Sequence, residues 1–157
     1  MIKKILIIIL VFELITACGF TPVLKVTEYQ NNAHVAYEIS PNNSYEARQT
    51  LKSIIQNQDS DNANFLIKID VTEKESAVNI LSSGAVSEYR IEVLINYEIF
   101  NIKTNDLIDK SISRGFANYD ISSSEYNNSL VKKEALKQAL SDGIRHMNII
   151  VQSKINQ

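Results

Sequence analysis

The chain has 157 residues, of which 45% are hydrophobic and 22% charged, and its net charge is −2 at pH 7. That length suits one domain with a short appendage, and the composition excludes a disordered, collagen-like or Gly/Ser-linker chain. The slightly negative charge argues against a nucleic-acid binder driven by phosphate neutralisation, and the single cysteine, Cys18, excludes an internal disulfide.

Residues 1–17 have the layout of a signal peptide. Lys3 and Lys4 form a positive n-region, Ile5 to Phe12 an apolar core continued by Leu14 and Ile15, and small residues follow at Thr16 and Ala17. The apolar run is too short to span a bilayer, which takes about 20 residues, and Glu13 interrupts it. Ile15-Thr16-Ala17-Cys18 has the order of a bacterial lipobox: branched apolar, small, small, cysteine. The thiol would accept a diacylglycerol and a peptidase would cut before it, leaving Cys18 as an acylated N-terminus. Each buried CH₂ contributes ~0.8 kcal/mol, so two or three chains make a firm anchor. An Asp after the cysteine would favour inner-membrane retention; Gly19 there points to the outer membrane. The expected organisation is a removed signal peptide at 1–17, a lipidated tether at 18–32 and one α+β domain at 33–157.

Within the domain, "HVAYEIS" alternates, with Val35, Tyr37 and Ile39 on one side, and predicts a strand ended by Pro41-Asn42-Asn43. Ala47, Leu51, Ile54 and Ile55 then recur at helical spacing and predict a helix over roughly 44–57, capped by Asn43 or Ser44. After the polar stretch "NQDSDNAN", period two returns in "NFLIKIDVTEK", with Phe65, Ile67, Ile69 and Val71 on one face. "ESAVNILSSGA" reads as a connection that turns at Ser83-Gly84. "VSEYRIEVLINYEIF" carries the clearest strand pattern: Tyr89, Ile91, Val93, Ile95, Tyr97 and Ile99 alternate with Glu88, Arg90, Glu92, Asn96 and Glu98. A turn at "NIKTND" leads into "LIDKSISRGFANYD", where Ile108, Ile112 and Phe116 share a face with Lys110 and Arg114, a mixture that predicts an edge strand. Ser122 and Glu125 form a capping box for a helix to about residue 152, whose Leu136, Leu140, Ile144, Met147 and Val151 make one stripe. Gly143 within it permits a close helix approach.

The order is strand, helix, three strands, helix. The first two strands, linked through a helix, should pair parallel and the last three should form an antiparallel meander. The expected fold is an α+β two-layer sandwich with both helices on one face of a four-stranded mixed sheet, the other face being polar and charged.

Catalytic signals are few. His34 and His146 stand in different elements without metal-ligand spacing. There is no G-x-S-x-G elbow and no phosphate-cradling glycine loop. The expectation is a non-enzyme without metal or cofactor.

Four stretches in order carry a resemblance: "ACGFTPVL", "GAVSEYRIEV", "YEIFNIKTNDLI", and "SRGFANYD" followed by a long helix. Together they resemble the LptE family of lipopolysaccharide-assembly lipoproteins. The resemblance implies two helices on one side of a four-stranded mixed sheet, a lipid anchor on the periplasmic side of the outer membrane, and a position inside the LptD β-barrel. Such a protein assists assembly of that barrel, plugs it and supports delivery of lipopolysaccharide to the outer leaflet. Some members carry basic residues in the loop before the long strand; here Ser82 and Ser83 stand there. By charge alone, Arg90, Lys110 and Arg114 are the nearby substitutes for contact with lipopolysaccharide or the partner. Two other readings stay open: an accessory outer-membrane lipoprotein of a lipid or solute ABC transport system, and a periplasmic lipoprotein with an apolar ligand cavity between sheet and helices.

Overall fold

The computed structural model describes residues 35–55 and 62–156. The signal segment 1–17, Cys18, the tether, His34 and the acidic stretch 59–61 lie outside the described residues. The elements run β1 (Val35–Ile39), α1 (Tyr45–Ile54), β2 (Phe65–Ile80), β3 (Val86–Asn101), β4 (Leu107–Asp120) and α2 (Glu125–Ile155). The sheet order is β1-β2-β3-β4, with β1 parallel to β2 and the other pairs antiparallel. This is the expected α+β architecture.

Chain direction and parity explain the layering. The odd residues of β3, Ile91 through Ile99, are all buried, together with Ile67 and Ile69 of β2 and Val35 of β1. Both helices close over this inner face: Ala47 and Leu51 come from α1, and Ala135, Leu136, Ala139, Leu140, Ile144, Met147 and Val151 from α2. α2 has 31 residues, ~46 Å at 1.5 Å per residue, and β4 has 14, ~48 Å at 3.4 Å per residue. The helix therefore runs back along nearly the whole strand it follows. Lys154 near its end reaches Asp109 at 4.0 Å, and Ser113 Oγ donates to the Gly143 carbonyl at 2.7 Å.

Two glycines let α2 sit low on the sheet. A Cβ added at Gly115 would fall onto the Ala139 carbonyl oxygen and within 2.6 Å of the Gly143 nitrogen. A Cβ at Gly143 would meet the Ile95 Cδ1 at 2.7 Å. Backbone thus lies against backbone at the centre of the sheet–helix interface, and no ligand-sized space remains at that point.

Three expectations are corrected. First, β2 does not end near residue 74 but continues to Ile80, so most of the assumed connection is strand. Its far half lost the alternating pattern because Glu73 and Glu75 occupy inward parity and because Val78 and Ser87 each drop out of register in compensating irregularities. Second, Ser124 rather than Ser122 caps α2, accepting from the Asn127 nitrogen at 3.4 Å. Ser122 is held instead by Asn128, whose Oδ1 accepts from the Ser122 nitrogen at 2.8 Å. Third, the outer face is not uniformly polar: Ile112 and Phe116 stand on it 55% and 60% exposed.

For α1, Ser44 is the cap, its Oγ accepting from the Ala47 nitrogen at 3.0 Å. Asn43 has a different task. β1 stops at Ile39, and the Asn43 Oδ1 accepts from the Val71 nitrogen at 2.9 Å. The side chain thus extends the β1–β2 ladder after the backbone has turned away, which satisfies an otherwise orphaned donor on β2.

Candidate functional site: the outer face of the sheet

Helices cover the inner face, so the even residues of β2, β3 and β4 form the exposed outer face. Register places them in rows. One row crosses all four strands as Glu38, Lys68, Glu98 and Lys110, with alternating sign. Lys68 lies 3.6 Å from Glu38, and Lys110 Nζ donates to Glu98 Oε1 at 2.7 Å. Cross-strand opposite charges contribute roughly 0.2–1 kcal/mol each and mainly fix register. Lys68 also lies over the Phe100 ring, 5.3 Å from its centroid.

Three basic residues were singled out from sequence, and all lie on this face, though their surroundings differ. Arg90 is occupied: its Nε donates to Asn118 Oδ1 at 2.9 Å, Asn118 Nδ2 donates to Glu88 Oε1 at 2.7 Å, and the guanidinium lies 5.4 Å from the Phe116 centroid. Lys110 is occupied by Glu98. Arg114 has no carboxylate partner among the described residues. It sits opposite Leu94 and between Ile112 and Phe116 along β4. The structure therefore brings Arg90 and Arg114 to the two sides of Phe116 and leaves Lys110 two outer-face pairs beyond Arg114, past Ile112. Arg114 combines a guanidinium unpaired among the described residues, which can fork onto a phosphate or carboxylate, with flanking apolar side chains.

Among the described residues β4 is an edge strand, and its edge belongs to the same surface. His146 Nδ1 lies 3.4 Å from the Arg114 carbonyl oxygen, and the Ile121 nitrogen donates to the Ser87 carbonyl on β3. Odd residues of β4 thus bond to β3, and even residues turn their backbone groups to the open edge.

At the other end, the Ser82–Gly84 turn stands several rows from any of the three bases; Arg90, the nearest of them, is opposite Ser76. The turn is closed by Gly84 at φ 85°, with the Gly84 nitrogen donating to Leu81 and the Leu81 nitrogen to Ala85.

Sequence reading missed one cluster, made by Glu75, Tyr119 and Lys132. Tyr119 donates to Glu75 Oε1, and Lys132 Nζ to Glu75 Oε2 at 2.5 Å. Burial acts to raise the Glu75 pKa, but the Lys132 and Tyr119 hydrogen bonds and the lysine charge outweigh it and hold the carboxyl below its usual range. Burial, then the Glu75 hydrogen bond and charge, push the Tyr119 hydroxyl up. Tyr119 also stacks on Tyr89, centroids 5.7 Å apart. The cluster joins β2, β4 and α2 and acts as a structural clamp; its parts are 44 and 57 residues apart in sequence, so no local motif could signal it. His146 is exposed beside Asp142 at 3.9 Å. Among the described residues, no three His, Cys, Asp or Glu side chains gather as a metal site, and no helix is long and apolar enough to cross a membrane.

No protein-family model matches the chain, and no curated protein matches it at a significant level. Solved structures do match. A lipoprotein from Caulobacter crescentus is similar over 78% of this chain and 90% of its own, with TM-score 0.61 and 11% identity. A minor lipoprotein from Acinetobacter baumannii is similar over 78% and 91%, with TM-score 0.53 and 13% identity. Lipoprotein B from Nitrosomonas europaea is similar over 73% and 79%, with TM-score 0.51 and 13% identity. At these identities the likeness establishes a shared fold.

Proposed function

We propose that this protein is an outer-membrane lipoprotein of the LptE type, acylated at Cys18, that assists assembly of the LptD β-barrel, plugs it and supports delivery of lipopolysaccharide to the outer leaflet. The observation that carries the reading is the fold, shared with lipoproteins of three bacteria over most of the chain. The lipobox-like Ile15-Thr16-Ala17-Cys18 supplies the anchor, and Gly19 favours the outer membrane.

The outer face supports the role of plug. The interior of a wide barrel is polar and wet, and a guest needs a surface that is hydrophilic yet able to form many directional bonds. The alternating row Glu38–Lys68–Glu98–Lys110 has that character. Arg114, without a carboxylate partner among the described residues and flanked by Ile112 and Phe116, is the residue best suited to a phosphate joined to acyl chains. The reading with an internal ligand cavity is disfavoured where Gly115 and Gly143 bring backbone against backbone.

Depletion of the protein, followed by measurement of surface lipopolysaccharide and of barrel folding, tests the proposal. Loss of both is expected. Unchanged surface lipopolysaccharide with normal barrel assembly would overturn it.

A further inference from the structure

The hairpin joining β2 to β3 presents a second surface that the plug role does not use. Residues 76–87, between Glu75 and Glu88, are twelve in succession without Asp, Glu, Lys or Arg, the longest such run in the chain. At its tip Val78, Ile80 and Leu81 are 44%, 61% and 51% exposed. β4 ends where Asp120 meets Glu88, so beyond that row, among the described residues, only the two strands of the hairpin continue.

We propose that this tip enters the hydrocarbon of a lipid bilayer. Two observations favour lipid over a protein pocket. The exposed side chains are aliphatic, whereas protein interfaces concentrate their energy in Tyr, Trp and Arg. The turn at the tip also closes on itself. Leu81 and Ala85 share a backbone bond, Gly84 donates to Leu81, the Ala85 nitrogen is 3.5 Å from Ser83 Oγ, and Ser87 Oγ donates to the Asn79 carbonyl at 3.4 Å. The backbone groups paired in this way carry less desolvation cost on leaving water, so entry is confined to the turn itself rather than to the strands behind it. The charged residues Glu75 and Glu88 then set the depth limit.

Chain length allows the geometry. Val35 pairs with Phe65, so the chain enters the sheet at the end opposite the tip. From Phe65 to Ile80 the strand spans ~50 Å, and the sixteen residues 19–34 reach at most ~55 Å. A chain anchored at Cys18 can therefore lay its tip against the same bilayer. The inference rests on the anchor proposed above only for bringing the tip to the membrane, and concerns the tethered protein outside its barrel.

The test uses the full acylated protein in phosphatidylcholine vesicles, with an environment-sensitive fluorophore on Leu81→Cys and, separately, on Lys103→Cys in the turn at the opposite end. Acylation blocks the Cys18 sulfur, so labelling is confined to the introduced thiol. The expected result is a blue-shifted emission at position 81 that brominated acyl chains quench at least twofold, with solvent-like, unquenched emission at position 103. Adding Ile80→Asp to the Leu81→Cys protein should abolish the shift. Solvent-like, unquenched emission at position 81 would overturn the proposal. Intact mass reports acylation independently, so failure of the anchor is seen separately. In that event Cys18→Ser leaves the introduced thiol as the sole labelling site, and the same quenching measured at saturating lipid still decides the behaviour of the tip.

Discussion

Gly115→Ala should be the most damaging methyl addition in the protein. The new Cβ would fall onto the Ala139 carbonyl oxygen and 2.6 Å from the Gly143 nitrogen. Both neighbours are backbone atoms of α2, so no rotamer change relieves the overlap; β4 and the helix must separate. Overpacking a filled core costs typically 1–3 kcal/mol and occasionally more, and a backbone obstacle puts this case at the upper end. Separation also stretches the Ser113 to Gly143 hydrogen bond, now 2.7 Å, a further ~1 kcal/mol. The sum of about 3–4 kcal/mol corresponds to a fall in Tm of roughly 10 °C or more for a domain of this size. Gly143→Ala supplies the control. Its Cβ meets the flexible end of Ile95 at 2.7 Å, and the gain from replacing a mid-helix glycine, up to about 1 kcal/mol, offsets much of the strain. Urea denaturation of both variants, followed by circular dichroism, measures the difference. If Gly115→Ala costs less than 1 kcal/mol, or less than Gly143→Ala, the glycine contact does not set the height of the helix above the sheet.

Further outcomes follow from the same structure. Ser124→Ala should remove ~1 kcal/mol through the lost cap bond to Asn127, more than the same change at an exposed serine without a cap role such as Ser82; thermal denaturation compares them. Leu140→Ala, at a fully buried position, should cost about 2–5 kcal/mol in the same assay. The Glu75 carboxyl is held below its usual range, so its contribution is complete above the unfolded value of ~4.3 and fades as pH falls through the lower folded value. Denaturation across acid pH should therefore show a smaller pH-dependent loss in Glu75→Gln than in the parent protein. In whole cells, Arg114→Glu should weaken lipopolysaccharide crosslinking more than Lys110→Glu, because Lys110 is already paired with Glu98; equal effects would remove the special role given to Arg114.

How much of this was legible in the sequence differs from element to element. β3 was legible because every odd residue from Tyr89 to Ile99 is apolar and inward, with no bulge in its central run. The stripe of α2 was legible for the same reason. β4 carried the opposite pattern. Its large side chains, Ile112 and Phe116, point out, and Ser113, Gly115 and Ala117 point in. Small inward residues are what a low-lying helix requires, but without the helix in place they read as a polar strand face. Ser122, Ser123 and Ser124 offered three caps, and the capping-box spacing selected the wrong one. The bonds from Ile121 to Ser87 and from Ser122 to Asn128 fix where the chain leaves the sheet, and both depend on tertiary context. The three basic residues were found by charge alone, and parity placed them on one face. That Arg90 and Lys110 are occupied while Arg114 has no carboxylate partner among the described residues depended on cross-strand neighbours in a register that the sequence does not state.

A lipid-anchored domain of this fold that serves a lipopolysaccharide-exporting barrel, as proposed above, must be bound to that barrel in the cell. Mild-detergent purification of the acylated protein from its own outer membrane, with mass spectrometry of what is retained, tests it most directly. The expected result is one large β-barrel of the LptD type, at equal stoichiometry and carrying lipopolysaccharide, together with an N-terminal peptide that begins at acylated Cys18. Retention of an inner-membrane permease or a substrate-binding protein in place of a barrel would contradict it.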